Sequence, residues 1–364
     1  MKILFRHVET RRLLFFFLLF FNFNGFAQQT SQRIQLNQIG FFSDGEKIAV
    51  VTGHTDASTF SVISSDGKRT LWEGKLSDEK QSKNSSILTR IADFSAFAKP
   101  GTYRLRIDGI GESYPFSINK NVLDSVSESV LKSFYFLRSD MRLLSQHAGK
   151  WARPVGHPDT VVYIHASAAS DAFPEGAIIS SPRGWYDAGD YNKYIVNSGI
   201  TTGTLLSAYE DFPYYFKKLK TNIPESDNRI PDILDEVLYN LRWMLTMQDP
   251  VDGGVYHKLT NAQFDGMVMP GVTKLPRYVV QKSTAATLDF AAVAAQAARI
   301  FSDFKRELPG LSDSCLHAAE KAWGWSVKNP DVLYNQWTMN KEFKPAIETG
   351  AYGDRSVKDE WLWS

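Results

Sequence analysis

The stretch GWYDAGDYNKY, residues 184–194, carries two carboxylates, Asp187 and Asp190, three positions apart. Small residues separate the two acids and aromatic residues flank them, so a ligand can approach the turn closely. Two acids at this spacing can share one water molecule or one metal ion. Alternatively, Asp190 caps the helix that follows it, and Asp187 only interacts favourably with the helix dipole. The residues of this stretch alone leave both interpretations open.

From about Asn121 onward, on both sides of this turn, apolar residues recur with the spacing of an α-helix. Apolar residues from Val122 to Leu144 recur every three or four positions, which predicts one long first helix. Further helices are predicted over residues 192–209, 231–247, 283–301 and 311–328 and from about residue 357. Little strand signal separates them. The loops at 150–190, 249–282 and 330–355 are long, which favours a functional role for them.

The segment before this helical part, from about residue 32 to residue 118, has a different pattern. Short β-type runs alternate with turn formers such as Asp66-Gly67 and Pro100-Gly101. A spacing of about 8 to 12 residues between such turns is typical of a small β-sandwich. No candidate chemistry is visible there, so we expect a structural module.

The first 27 residues pair basic residues with an apolar run at 13–21 and end in Gly-Phe-Ala. This pattern predicts a signal peptide cleaved after Ala27 and a secreted or periplasmic protein. The apolar run is too short to cross about 30 Å of hydrocarbon, so no membrane attachment is expected after cleavage. Cys315 is the sole cysteine, which excludes an intrachain disulfide.

The overall charge is nearly balanced, with 41 Lys and Arg against 40 Asp and Glu. Binding of a nucleic-acid backbone depends on a basic surplus, so nucleic acid is not an expected partner. The sequence also contains neither a GxSxG nor a GxxxxGK[ST] motif, which argues against a serine hydrolase and a P-loop nucleotide site.

Four further residues are candidates for contact with a hydroxyl-rich ligand. Tyr256 and His257 lie in the loop sequence GGVYHK, and His257 is interpreted either as a polar contact to the ligand or as a hydrogen-bonded loop histidine. Trp185 and Trp337 lie in loops, where an indole ring is suited to stacking on a sugar. By contrast, the acidic set Asp232, Asp235 and Glu236 is explained by the preference of acids for the first turns of a helix.

The paired aspartates with the following Asn197-Ser-Gly-Ile-Thr-Thr-Gly resemble the DAGD signature of glycoside hydrolase family 9. The resemblance extends over much of the chain. It includes the segments IPDILDE (230–236), DGGVYHKLT (252–260), STAATLDFAAV (283–293) and ETGAYGD (348–354). The β-rich segment, with LNQIGF (36–41) and KPGTY (99–103), resembles the immunoglobulin-like module that precedes the catalytic domain in one branch of that family.

After the predicted signal peptide at 1–27, this resemblance implies an immunoglobulin-like β-sandwich at 28–119 and an all-α (α/α)6-barrel catalytic domain at 120–364, present only as its N-terminal half. It implies an inverting cellulase-type β-1,4-glucanase, expected as a monomer, that acts on a β-glucan polysaccharide or oligosaccharide. Asp190 would be the base and Asp187 would hold the water. This role replaces capping as our interpretation of Asp190.

The resemblance also exposes departures. The family's general acid is a glutamate late in the domain, so no residue here receives that role, and we expect a C-terminally truncated chain. The alternative function is that of a non-catalytic glucan-binding fragment. No cysteine lies in residues 150–183, where related members hold zinc, so that site is expected to be lost. A structural calcium ion is predicted near Asp354, Asp359 and Glu360, the alternative being helix N-terminal acids without an ion. No organic cofactor is expected.

Overall fold

The computed structural model describes residues 30–364, so the predicted signal peptide at 1–27 lies outside the described residues. The chain divides between Asp124 and Ser125 into a β-rich unit and a helical unit. This division falls slightly after the predicted boundary at 119/120. Within residues 30–364, no helix combines the length and apolarity needed to cross a membrane.

The β-rich unit consists of two antiparallel sheets, and each sheet contributes side chains to one apolar core. Its strands are β1 (Ile34–Leu36), β2 (Ile48–Thr52), β3 (Thr59–Ser64), β4 (Thr70–Lys75), β5 (Lys80–Gln81), β6 (Leu88–Asp93), β7 (Gly101–Ile107), β8 (Gly111–Glu112) and β9 (Phe116–Ile118). One sheet has the order β1-β2-β6-β5. The other has the order β4-β3-β7-β8, with β9 also paired to β7.

Strand β7 shows why this segment folds as a sandwich. Tyr103, Leu105 and Ile107 are buried at alternate positions, and the residues between them are not. Because successive strand side chains point to opposite faces, this alternation places one face in the core. The predicted sandwich is confirmed. Strands β5 and β8, each of two residues, are too short to be recognised from alternation.

The helical unit is built on α3, α5, α6 and α7, which share one large apolar core. Its helices are α1 (Asp124–Leu137), α2 (Ser145–Ala148), α3 (Ile195–Asp211), α4 (Pro213–Phe216), α5 (Asp232–Thr246), α6 (Thr284–Phe301), α7 (Leu311–Lys328), α8 (Gln336–Glu342) and α9 (Lys358–Trp363). The alanine-rich α6 is buried along most of its length and packs against α3 and α7. Ser283 caps it by accepting a hydrogen bond from the Ala286 N–H.

The first helix is shorter than its apolar period predicts. It ends at Leu137, and Met141 and Leu144 lie beyond it. The next residue, Arg138, is fully buried, and its guanidinium forms an ion pair with Glu236 at 3.0 Å. This pairing, together with a backbone bridge from Arg138 to Trp185, takes the chain out of the helix.

Contrary to the expectation of little strand structure, two of the long loops and residues 193–194 together form a five-stranded sheet. The strands are β10 (Val162–Ile164), β11 (Ile178–Ile179), β12 (Lys193–Tyr194), β13 (Lys258–Thr260) and β14 (Tyr278–Val279), in the order β11-β10-β14-β13-β12. Strands of two or three residues give no measurable alternation, and the β10–β14 and β12–β13 pairings join segments that are far apart in the chain. Sequence periodicity therefore could not reveal this sheet, nor the short helix α8 in the third loop.

Candidate active site

The turn that carries Asp187 and Asp190 is attached to the end of the five-stranded sheet. It runs directly into β12, which pairs with β13, and its geometry is closed by a hydrogen bond from the Asp187 N–H to the Asn192 carbonyl at 3.1 Å. Gly184 begins the turn at a φ of 85°, and a Cβ there would lie 2.8 Å from the Trp243 ring. The left-handed backbone and the close approach both require glycine at this position.

The carboxylate of Asp190 is held through one of its two oxygens. Oδ2 accepts a hydrogen bond from Asn192 Nδ2 at 2.7 Å and another from the Tyr194 hydroxyl at 2.9 Å. Among residues 30–364, no donor reaches Oδ1. The helix that follows begins at Ile195, and its N-cap is Tyr194, so the capping interpretation of Asp190 is wrong. One oxygen is anchored and the other is available to a solvent molecule.

The carboxylate of Asp187 is held through both oxygens. Oδ1 accepts from Asn197 Nδ2 at 2.6 Å, and Oδ2 accepts from the Tyr352 hydroxyl at 2.8 Å. A carboxylate that already accepts from donors on both oxygens is oriented rigidly, and each oxygen keeps a lone pair for a further donor. This arrangement suits a residue that fixes a water molecule, whereas Asp190 is suited to accept its proton.

Lys258 lies close to the turn and was not predicted as a site residue. Its Nζ donates to Gln336 Oε1 at 2.8 Å, to Thr349 Oγ1 at 3.1 Å and to the Gly350 carbonyl at 2.6 Å. Burial lowers the pKa of this ammonium group to about 7, and the negative charge of Asp190 acts in the opposite direction. The ammonium group of Lys258 therefore lies within electrostatic range of the Asp190 carboxylate. Its position in the quoted DGGVYHKLT segment was the available signal.

A buried polar network lies next to the same turn. Asp159 forms ion pairs with Lys193 at 2.8 Å and with Arg277 at 2.9 Å. Burial lowers the pKa of Lys193 to about 8, with Asp159 opposing that shift. Asp159 and Arg277 lie in two of the long predicted loops, and Lys193 lies in β12. The network was missed because its members are far apart in the chain.

The structure corrects three of the four predicted sugar contacts. Trp185 is 4% exposed and packs its ring 4.8 Å from that of Phe134. Tyr256 is 2% exposed, and its hydroxyl faces Asp249 at 3.5 Å. His257 is 1% exposed, which lowers its pKa to about 3, and it stacks on Tyr334 at 4.0 Å. These side chains support the site from within, because none presents a face to a ligand.

Trp337, by contrast, is 70% exposed, as contact with a sugar requires. It lines a cavity of about 600 Å³ together with Tyr334, Gln336 and Arg355. Lys341 covers one face of the indole at 3.1 Å from the ring centroid. The segment at 349–355 connects this cavity to the paired aspartates, since the Gly350 N–H donates to the Tyr194 hydroxyl at 3.2 Å.

The residues predicted to hold calcium lie near one another and near Asp289. Burial, followed by the charges of Glu360, Asp354 and Asp359, raises the pKa of Asp289 to about 8. Burial is also the main cause that raises the pKa of Glu360 to about 7. Within the described part of the chain, however, no three Asp, Glu, His or Cys side chains converge as metal ligands. The carboxylates repel one another in this arrangement without forming a cage.

Two family models match this chain. The model of glycosyl hydrolase family 9 matches residues 124–364, and that of the cellulase N-terminal ig-like domain matches residues 29–112. The chain belongs to glycosyl hydrolase family 9. The predicted family and the predicted fold, a β-sandwich followed by an (α/α)6-barrel domain, are thereby confirmed.

Among similar curated proteins, the chain is 49% identical over 331 residues to a xyloglucan-specific endo-β-1,4-glucanase of Bacteroides ovatus, covering 91% of this chain and 56% of that protein. It is 34% identical to endoglucanase D of Acetivibrio thermocellus, covering 92% and 51%. A solved Bacteroides ovatus GH9 structure superposes with a TM-score of 0.87 at 48% identity, covering 91% of this chain and 60% of that one. A metagenome-derived family 9 endoglucanase superposes with a TM-score of 0.80 at 30% identity, covering 91% and 59%. The chain thus spans about half the length of these curated relatives.

Proposed function

We propose that the complete gene product containing this chain hydrolyses β-1,4-glucosidic bonds of a glucan with inversion. Asp190 is the general base and Asp187 holds the attacking water. The observation that carries this proposal is the different anchoring of the two acids. Within residues 30–364, no donor reaches Oδ1 of Asp190, whereas both oxygens of Asp187 accept hydrogen bonds.

In an inverting hydrolysis, a base removes a proton from water on one side of the sugar while an acid protonates the leaving oxygen on the other. The free Oδ1 of Asp190 is the atom that takes the proton. The donors on its Oδ2, Asn192 and Tyr194, keep the carboxylate oriented before the reaction. The family resemblance assigns the role of general acid to a glutamate late in the domain, and no described residue is given that role.

The proposed substrate is a β-1,4-glucan, with xyloglucan as the first candidate. Support for xyloglucan comes from the relative at 49% identity, which bears the name of a xyloglucan-specific enzyme. Trp337 and its cavity of about 600 Å³ supply an exposed aromatic face beside the segment that holds both acids. Sugar rings stack on such faces through their C–H surfaces.

We further propose that the protein acts outside the cytoplasm, secreted or periplasmic, and as a monomer. The basic and apolar pattern of residues 1–27 supports export. We retain structural calcium near Asp354, Asp359 and Glu360 as a proposal, supported by the mutual proximity of hard oxygen ligands. Closing such a site requires these carboxylates to move together around the ion.

The test is hydrolysis of xyloglucan and carboxymethylcellulose by the purified gene product. Release of reducing ends together with a rapid fall in viscosity is expected for endo-cleavage. Proton NMR recorded within the first minutes should show the α-anomer at the new reducing end before mutarotation. Initial appearance of the β-anomer would refute inversion. Binding to glucan without any release of reducing ends would support the non-catalytic alternative.

A further inference from the structure

The side chain of Asn192 lies between the carboxylate of Asp190 and a buried arginine, Arg277. We propose that Asn192 is a positioning residue for the base, and that Arg277 sets the direction of its amide. The inference rests on the proposed function, because it takes Asp190 as the group that accepts a proton. Asn192 does not touch the substrate in this proposal.

The direction of the Asn192 amide follows from its partners. Its Oδ1 lies 2.8 Å from the Asn261 backbone nitrogen and 3.2 Å from Arg277 Nη1. Backbone N–H and guanidinium groups only donate, so the atom facing them is the amide oxygen. The amide nitrogen is therefore turned to Asp190 Oδ2, at 2.7 Å. The side chain is 1% exposed, so water does not compete for these contacts.

Arg277 is itself fixed by more than one partner. Its Nε and Nη2 face the two oxygens of Asp159 at 2.9 and 3.3 Å. Its Nη2 also donates to the Tyr191 carbonyl at 2.8 Å, and its Nη1 donates to Asn261 Oδ1 at 2.8 Å. A planar guanidinium held at this many points cannot rotate away from Asn192. The buried ion pair between Arg277 and Asp159 thus fixes the orientation of the Asn192 amide.

As a consequence, the two carboxylate oxygens of Asp190 differ in their hydrogen-bond partners. Oδ2 is occupied by a donor whose direction cannot reverse, together with the Tyr194 hydroxyl. The lone pairs of Oδ1 are left for water. A flipped amide would place its oxygen against a carboxylate oxygen, which is repulsive, so the Arg277 contact prevents an unproductive state of the base.

Other charged or titratable groups also face Asp190. Tyr194 donates to it, and Lys258 and Tyr352 interact with its charge. Asp187 lies three positions earlier in the same turn. A test must leave all four in place, which the isosteric change Asn192→Asp does. That change preserves the acceptor for Arg277 and Asn261 and replaces the donor to Asp190 by a second carboxylate oxygen.

The test measures kcat and KM of the complete gene product on a soluble β-glucan across pH. In Asn192→Asp, two neighbouring carboxylates compete for one proton, so the acidic limb of the kcat/KM profile is expected to move up by about one pH unit or more. We expect kcat to fall while KM stays nearly constant, because the change acts on the base and not on the bound sugar. Asn192→Ser, which lacks the donor without adding charge, is expected to lower kcat by about 100-fold.

Asn228→Asp is the matched control. Asn228 has the same arrangement elsewhere, with Oδ1 accepting from the Ile230 N–H at 2.6 Å and Nδ2 donating to Asp235 Oδ1 at 3.1 Å. The pH profile of kcat/KM for Asn228→Asp should coincide with that of the unchanged protein. An unmoved acidic limb in Asn192→Asp, or an equal shift in Asn228→Asp, would overturn the positioning role.

If Asn192→Asp does not fold, as judged by its thermal melt, Asn192→Ser decides the question. Unchanged kcat in that variant would overturn the proposal. If the unchanged protein releases no sugar, the proposed function is contradicted. The role of Asp190 as base, on which the Asn192 proposal rests, is then contradicted as well.

Discussion

The Tyr352 hydroxyl donates to Asp187 Oδ2 at 2.8 Å, although the two residues are 165 positions apart. The same segment reaches the second acid indirectly, because the Gly350 N–H donates to the Tyr194 hydroxyl and that hydroxyl donates to Asp190. One short segment near residue 350 therefore orients both carboxylates of the turn.

Changing Tyr352 to Phe removes one donor from Asp187 and leaves the ring in place. A hydrogen bond to a charged group contributes about 1.5–3 kcal/mol, so we expect kcat to fall by about tenfold to a hundredfold with little change in stability. Steady-state kinetics on a soluble β-glucan provide the measurement. Tyr214→Phe, at an exposed tyrosine of α4, serves as the control. Equal kcat values for Tyr352→Phe and the unchanged protein would show that this contact does not contribute to turnover.

Changing Asp190 to Asn is expected to lower kcat by about 10²- to 10⁴-fold, the range contributed by a general base. Binding of glucan, measured by affinity electrophoresis, should remain, since the change removes a group that acts on water. Asp211→Asn, at the exposed end of α3, is the matched control. Near-normal kcat in Asp190→Asn would transfer the role of base to Asp187.

Changing Trp337 to Ala should raise KM and leave kcat largely unaffected, because the indole is proposed to bind sugar away from the reacting bond. The loss of one exposed aromatic contact of about 1 kcal/mol corresponds to a several-fold increase in KM. Trp151→Ala is the control, since Trp151 has a similar exposure of 64%. The same KM in both variants would contradict the assignment of a sugar subsite to Trp337.

The helical unit is expected to lose stability as pH rises, and Asp235 contributes to that loss. Burial raises the pKa of Asp235 to about 7 from its usual 3.8. Because the native state binds this proton more tightly than the unfolded state, the contribution is complete below about pH 4 and is lost as pH passes through about 7. In Asp235→Asn, the thermal midpoint should fall less between pH 5 and pH 8 than in the unchanged protein.

The exposed neighbour Asp227→Asn should reproduce the pH dependence of the unchanged protein. Identical slopes for Asp235→Asn and the unchanged protein would show that Asp235 titrates normally in the folded state. Differential scanning calorimetry at a fixed ionic strength gives the midpoints.

Calcium should raise the thermal midpoint of the complete gene product, and a chelator should reverse the effect. Binding to the native state alone stabilises it, and hard oxygen ligands such as Asp354, Asp359 and Glu360 select Ca²⁺. Glu360→Gln should weaken the response, whereas Mg²⁺ at the same concentration should have less effect. Midpoints that are insensitive to both calcium and chelator would refute a calcium site.

The sequence was sufficient for the features that local patterns encode. The alternation in β7 predicts a sandwich strand, the period of α6 and its Ser283 cap predict that helix, and the DAGD turn identifies the paired acids. These signals need no knowledge of distant residues. The residues from 311 to 328 were predicted as a helix with the bounds that the structure shows.

The rest of the site depends on contacts that local patterns do not encode. Trp185 and His257 carried the residue types of a sugar site, yet burial makes them internal supports. Lys258 and Arg277 were overlooked because their importance arises from partners on other loops. Exposure and long-range pairing are set by tertiary packing, so side-chain type and spacing could not distinguish a contact residue from a residue beneath it.

The five-stranded sheet has a consequence for the order of folding. Its strands of two or three residues come from segments between residues 162 and 279, and a pair of such strands has little stability by itself. Closing the intervening loops costs entropy before any of the pairings can compensate for it. During refolding, helix content should therefore recover before activity does. In mild denaturant, the paired acids should lose their alignment while α6 and α7 remain intact.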